Sequence, residues 1–334
     1  MSGRFENGFD GRVAVVTGGG TGMGREMVLQ LTADGCDVAT CDISEENLAE
    51  TAALCTAAGN KGQLITHIAD VSVESDVLAF RDVVARWRQH VNLLFNNAGI
   101  AQGYSFVTGE RADWDKTFAV CWFGVYYNTR AFLDLLIAAP VAHIINTSSI
   151  NGFWASIGPA RSHTAYSAAK FAVKGFTEAL MTDLRLNAPH VHASVVMPGH
   201  IGTSIILNAN KIFGREPKEM STEQLVIERE RLTKFGLDVS AASDEDLRVG
   251  LQAIAEGFRD QAPMTAKDAT AVILEAVRHD KWRILVGEDA KILDEMVRQD
   301  PQGAYSIEFF DKLNERGILG GLTGGLAAQP PETP

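Results

Sequence analysis

A tyrosine and a lysine, Tyr166 and Lys170, stand four residues apart in AYSAAKFAVKGF, and Ser149 lies seventeen residues before the tyrosine in INTSSING. Helical positions i and i+4 share one face, so a helix over this stretch sets a phenol beside an ammonium. A free tyrosine titrates near pH ~10 and is a poor base at neutral pH. A unit charge about 4 Å away, at an effective dielectric of about 20, is worth about 4 kcal/mol. That corresponds to about 3 pKa units and moves the phenol toward the working range of an acid/base group. An amphipathic surface helix shows the same pattern, so the pair gains meaning only from what surrounds it.

A second cluster of chemistry lies near the start. VVTGGGTGMGREM sets Gly18, Gly22 and Gly24, with Thr21 and Met23 between them, where an apolar run gives way to a helical pattern. Glycines at a strand-to-helix turn allow close backbone approach to a pyrophosphate, and the helix N-terminus offers free N–H groups. Asp42 ends the next apolar run, eighteen residues beyond Gly24. A carboxylate there accepts hydrogen bonds from a ribose diol and repels a 2′-phosphate. Ile43 and Ser44 follow it, and Thr21 is not basic. The expected cofactor is therefore NAD rather than NADP. Asp70 with Val71, and Asn97-Ala98-Gly99, close two further runs. Singly these are turn or cap signals; together they ring the edge where an adenine and its ribose would lie.

The elements that must carry these groups follow from the pattern. Short β-rich runs at 12–17, 37–42, 63–70, 92–97, 142–148, 192–198 and 283–287 alternate with helical segments. Continuous apolar strands between helices predict a parallel sheet covered on both faces, α/β and doubly wound, with right-handed crossovers. Ser44 is placed as the N-cap of the second helix. Residues 204–266 carry no strand signal and hold at least two amphipathic patterns. The clearer one is Leu247, Leu251, Ile254 and Phe258 behind Ser243 as N-cap. One domain over residues 1–300 is expected, with 204–266 inserted as a helical substrate lid. Residues 301–334 form a C-terminal extension ending in a Gly- and Pro-rich tail.

Composition narrows the function classes. In 334 residues, 46% apolar and 22% charged content suits a large packed core rather than disorder. A net charge of −12 argues against nucleic acid or an anionic membrane as the main partner. The stretch 131–145 is broken by Asp134 and Pro140 and is too short to span a bilayer. Cys36, Cys41, Cys55 and Cys121 lack metal or disulfide spacing, so no metal site is expected and reduced thiols in a cytoplasmic setting fit. The first residues hold no apolar run of the signal-peptide kind.

With these motifs in hand, the chain resembles the short-chain dehydrogenase/reductase family over roughly residues 12–203, and RILVGEDA extends the match to about residue 290. The motifs run in order: TGGGTGMG at 17–24, Asp42, Asp70-Val71, NNAG at 96–99, SSING at 148–152, YSAAK at 166–170 and PGHIGT at 198–203. The resemblance implies Tyr166 as the acid/base at the substrate oxygen. Lys170 would lower its pKa and hold the nicotinamide ribose, and Ser149 would hydrogen-bond the substrate oxygen, with Ser148 structural. Pro198, Gly199, Ile201 and Thr203 would frame the nicotinamide. It further implies a homo-oligomer, a dimer or commonly a tetramer, with helices at about 113–138 and 164–187 at the interface. Trp122, Phe123, Phe132 and Phe176 suit that interface or a core. An NAD-dependent oxidoreductase acting on a bulky, hydrophobic secondary alcohol or ketone is the function these features imply. The alternatives are an epimerase or dehydratase on the same fold, or a silent NAD-binding sensor.

Two departures from the family pattern stand beside the catalytic residues. Cys121 in AVCWFG takes the place of an asparagine, and a thiol is a weak hydrogen-bond partner. That puts the relay of protons from Tyr166 to solvent in question and motivates the sensor alternative; Cys121 also suits a small buried position. The segment between Ser149 and Tyr166 is longer than usual. Its Phe153, Trp154, Arg161 and His163 either line the substrate mouth or pack on a neighbouring subunit.

Overall fold

The computed structural model describes residues 4–159, 162–234 and 237–318. Among the described residues nine strands form in chain order: β1 (Val13–Thr17), β2 (Asp37–Asp42), β3 (Leu64–Ile68), β4 (Leu93–Asn96), β5 (Ala142–Thr147), β6 (Val191–Pro198), β7 (Ile201–Gly202), β8 (Met264–Thr265) and β9 (Arg283–Val286). Seven of them make one parallel sheet in the order β3-β2-β1-β4-β5-β6-β9. The central strands are buried along their whole length, as β1 and β5 illustrate. This burial explains why they read as unbroken apolar runs. The edge strand β3 is only partly covered.

Helices α1 (Gly22–Ala33), α2 (Glu45–Ala57), α3 (Glu74–Trp87), α4 (Arg111–Phe118), α5 (Gly124–Ile137) and α6 (Thr164–Asn187) alternate with the first six strands. Two apolar cores result. One packs α1 and the later helix α10 (Ala266–Arg278) against one sheet face. The other packs α3, α5 and α6 against the opposite face, and Phe132 is fully buried in it. Phe132 is thus core and not interface.

Strand order reverses between β1 and β4. Crevices beyond the strand C-termini at such a point are where open α/β sheets bind ligands. The next helices, α7 (Ile205–Ile212), α8 (Thr222–Lys234) and α9 (Asp244–Asp260), fill the stretch expected to be a lid. Ser243 caps α9 in a capping box with Asp246, and Leu247 and Leu251 are buried against Leu225 and Leu232 of α8. Thr265 caps α10.

Two local differences from the sequence reading appear. The expected helix over about 113–138 is interrupted at Ala119–Phe123 by a π-turn, which contains Cys121. Wide turns of this kind cluster at functional sites. A strand occurs where none was expected: β8 pairs with β7 and closes the base of the α7–α9 segment. The chain after residue 300 is folded too. Helices α11 (Glu288–Gln299) and α12 (Ile307–Glu315) build a third cluster with Ile150 and Trp154. Residues 319–334 of the expected tail lie outside the described residues. No described helix is long and apolar enough to cross a membrane.

Candidate active site

The glycine-rich turn joins β1 to α1. A Cβ at Gly24 would lie 2.0 Å from the Gly18 carbonyl oxygen, so no larger residue fits where the turn folds back on itself. The α1 N-terminus has no side-chain cap and no acidic residue in its first turn. By contrast Ser44 caps α2, as the sequence suggested, and two glutamates follow it. Of these two helix starts, only α1 keeps its N–H groups and positive dipole end for an anion. Thr21, the residue before α1, instead accepts a hydrogen bond from Asn208 Nδ2 of α7 at 2.9 Å.

Asp42 accepts the Gly20 N–H at 3.0 Å through Oδ2 and the Ser44 N–H at 3.1 Å through Oδ1. Both bonds orient the carboxylate at the strand end, and each oxygen keeps a further acceptor site. Ile43 beside it is half exposed. The neighbouring cation, Arg25, is committed to the Gly20 carbonyl and to Glu50 at 2.6 Å. Asn97 donates to the Thr17 carbonyl at 3.1 Å, and the Asn97 and Ala98 N–H groups meet the Thr17 hydroxyl. Asp70 pairs with Lys116 at 2.6 Å and accepts from Ser72. Burial acts to raise its pKa, but these partners together hold it below the usual carboxylate range. Val71 is buried in the core beside it.

Tyr166 and Lys170 lie on α6, whose start is pinned from outside: the Thr164 N–H donates to the Tyr104 carbonyl and the Ala165 N–H to the Gly103 carbonyl. Met23, Asn97, Gly99, Ser149, Tyr166, Lys170, Pro198, Gly199, Ile201 and Thr203 line one cleft. Gly18, Thr21, Gly22, Gly24, Asp42, Ile43, Asp70, Val71 and Ala98 do not line it; they lie in the glycine-rich turn or at the strand ends described above. Ser149 accepts the Asn151 N–H at 3.1 Å and stands near enough to Tyr166 to act on its ionisation. Ser148 turns away and donates to the Lys170 carbonyl at 2.8 Å. Lys170 is 2% exposed. Its ammonium donates to the Thr147 carbonyl at 2.8 Å and lies 5.3 Å from the Tyr166 ring centroid.

The electrostatics differ from the expectation for an isolated Tyr–Lys pair. Burial raises the Tyr166 pKa well above its ordinary value. The Ser149 side chain opposes the rise. Burial also lowers the Lys170 pKa. Desolvation penalises the charged form of each group, and it is the largest cause of both shifts. Cys121 is fully buried and donates to the Ile100 carbonyl at 3.2 Å. All four cysteines are free and buried. Among the described residues no group of three or more His, Cys, Asp or Glu is placed to hold a metal ion.

Four contributors escaped sequence reasoning. His200, inside PGHIGT, is 2% exposed, contacts the Phe258 carbonyl at 2.7 Å and packs tilted against the Phe258 ring at 4.3 Å. Asp289 of α11 accepts the His200 N–H at 2.6 Å. A Cβ on Gly199 would strike the same carboxylate at 2.2 Å. Asn208 and Asn151 are the others, and a lone Asn in a helix or turn gives no signal that separates these roles from ordinary capping. The long Ser149–Tyr166 segment divides. His163 lines the cleft, its ring tilted 4.7 Å from that of Tyr166 and stacked 5.4 Å from that of Tyr104. Trp154 is fully buried against this chain's own C-terminal segment, so it neither lines the mouth nor meets a neighbouring subunit. Arg161 lies outside the described residues.

Known proteins share this architecture. The family model described as short chain dehydrogenase matches residues 12–211. The SadH protein of Mycobacterium tuberculosis is named as an oxidoreductase, and its name gives no substrate. It is 33% identical over 291 residues, covering 87% of this chain and 91% of its own. A short chain dehydrogenase/reductase from Burkholderia phymatum, solved in complex with NAD, superposes with a TM-score of 0.70 at 27% identity. The match covers 88% of this chain and 95% of that one. A metagenomic short-chain oxidoreductase, solved in complex with NADP, gives a TM-score of 0.52 at 33% identity over 57% of this chain and 83% of that one.

Proposed function

Because the chain belongs to the short-chain dehydrogenase family, we propose that it is an NAD-dependent oxidoreductase interconverting a bulky, hydrophobic secondary alcohol and its ketone. The observation that carries this reading is the cleft itself, where Ser149, Tyr166 and Lys170 meet beside Gly199, Ile201 and Thr203.

The residues present fit a dinucleotide. The uncapped α1 N-terminus and the packed glycine turn suit a pyrophosphate. Asp42, held by two backbone N–H groups, suits an unphosphorylated adenosine ribose. Arg25, already paired with Glu50, is not available to a 2′-phosphate. These features support NAD over NADP. When bound, the nicotinamide supplies the acceptor or donor of a hydride. Lys170 would hold the adjoining ribose hydroxyls, and Ser149 would donate to the substrate oxygen. Tyr166 moves the proton at that same oxygen, taking it in oxidation and returning it in reduction. Ile157, Ile205, Ile206 and Phe258 give the substrate side an apolar lining, which suits a hydrophobic skeleton. The half-exposed Phe123, Tyr126 and Phe171 on the π-turn, α5 and α6 suit a homo-oligomeric interface.

The test follows NADH absorbance against a panel of secondary alcohols of increasing bulk. Turnover that Tyr166→Phe reduces by roughly 10³-fold or more is expected, in line with loss of a positioned acid/base group. Tight NAD binding without turnover on any member would point to a silent sensor, and a clear preference for NADP would overturn the role given to Asp42.

A further inference from the structure

The third apolar cluster meets the main sheet at its edge, through Leu285 of β9. It joins Ile150 and Trp154, just after Ser149, to Leu293 of α11 and to Ala304, Phe309 and Leu313 near the chain's end. Trp154 is fully buried, and its indole N–H donates to the Ala304 carbonyl at 2.7 Å. The Ala155 N–H donates to the Tyr305 hydroxyl at 3.0 Å. Both contacts bridge 150 residues of sequence and fasten the backbone of one short loop to one short arm.

From Trp154 the connection runs into the cleft. Asn151 Nδ2 donates to the Trp154 carbonyl at 3.1 Å and to the Ser156 carbonyl at 2.7 Å. The Asn151 backbone N–H donates to Ser149 Oγ at 3.1 Å. Ile157, next after Ser156, lines the cleft. The path from Ala304 through Trp154 and Asn151 thus ends on the serine hydroxyl, and the path from Tyr305 through Ala155 ends on the apolar wall.

We infer that the arm over residues 303–318 sets the geometry of the substrate side of the cleft. Trp154 positions Ser149, and Tyr305 positions the wall at Ile157 and so selects among substrates. Two observations separate this from general support of the fold. Leu285, which packs against the third cluster, lies on the edge strand β9 and belongs to neither sheet core. The glycine turn and Asp42 make their hydrogen bonds without the arm. Only what the cleft holds, an alcohol or ketone, rests on the oxidoreductase reading above; the anchoring of the loop does not.

The experiment compares the full-length protein with Tyr305→Phe and Trp154→Phe, each keeping an aromatic ring while deleting one hydrogen bond. Amide exchange over residues 150–157, NADH affinity, and kcat and KM on a bulky and a small secondary alcohol are measured. Losing one such bond is expected to speed exchange in this loop by about fivefold or more, with NADH affinity within about twofold. Tyr305→Phe should raise KM for the bulky alcohol about three- to tenfold and leave the small alcohol nearly unchanged. Trp154→Phe should lower kcat on both alcohols by about tenfold, the mark of a displaced Ser149. Unchanged exchange in the loop would overturn the anchoring. Faster exchange with unchanged kinetics, or an equal loss of NADH binding and of all activity, would overturn the positioning role. Should the wild type turn over no alcohol, the oxidoreductase reading fails. Loop exchange with NADH binding intact then still upholds the anchor, and unaltered exchange still overturns it.

Discussion

At Tyr166 the cost of ionising a phenol away from water exceeds what Ser149 returns, so the proton is held more tightly than on a free tyrosine. The consequence is directional. With Tyr166 in its proposed role, alcohol oxidation needs the phenolate as base, so kcat/KM for the alcohol should climb with pH, by about tenfold per unit, through neutrality to at least about pH 9. Ketone reduction needs the protonated phenol and should stay flat over that range. Parallel pH profiles in both directions, with Tyr166→Phe as the baseline, measure this; an oxidation limb that levels off near neutrality would show a depressed phenol instead. The identity and spacing of Tyr166, Lys170 and Ser149 could be read from the sequence because a helix makes i and i+4 neighbours whatever surrounds it. The direction of the Tyr166 shift could not, because desolvation depends on all the atoms the fold gathers round the ring. Lys170 supplies the point charge the spacing promised, yet its ammonium is bonded to the Thr147 carbonyl and is itself destabilised by burial.

At the scale of elements, α7 is a bridge between the cofactor turn and the substrate side. Asn208 donates to Thr21, Gln102 Nε2 donates to Asn210 at 3.3 Å, and Arg215 pairs with Asp113 at 2.6 Å. Each contact ties α7 or the turn after it to a different part of the sheet domain. Asn208→Ala removes the one that reaches the glycine turn. It is expected to raise KM for NAD about fivefold, the worth of roughly 1 kcal/mol, with a far smaller effect on kcat. Steady-state kinetics with NAD as the varied substrate check this, and an unchanged KM would assign α7 no hold on the cofactor turn. The strands of the sheet were legible because their burial on both faces forces unbroken apolar runs. Strand β8 was not, since two residues carry no period and owe their conformation to pairing with β7. The π-turn was also hidden: one extra residue in AVCWF leaves no compositional trace.

For the molecule as a whole, the same sheet that presents the cleft at one end buries a histidine in its interior. His143 of β5 is 1% exposed and contacts Ser194 Oγ at 2.6 Å. Burial, with the neighbouring charges of His192 and Arg4, pushes its pKa down to about 3. An unfolded chain takes up this proton near pH ~6.5, whereas the folded chain resists until about pH 3. The stabilising effect of keeping His143 neutral is therefore complete above about pH 6.5 and drains away as the pH falls toward the folded value, by up to about 1.4 kcal/mol per unit. His192 and His200 are shifted the same way, so the slope of the wild type alone does not isolate His143. Urea unfolding of wild type and His143→Gln at about pH 7.5, 6 and 5 does. The glutamine variant should be less stable at the highest pH, where Ser194 loses its imidazole partner, and the gap should close as acidity rises. A gap that stays constant would mean that His143 carries its proton in the folded state. Nothing in AHIINT separates a buried neutral histidine from a polar residue at a strand edge. That distinction, like the arm folded over Trp154, comes from packing between segments far apart in the chain.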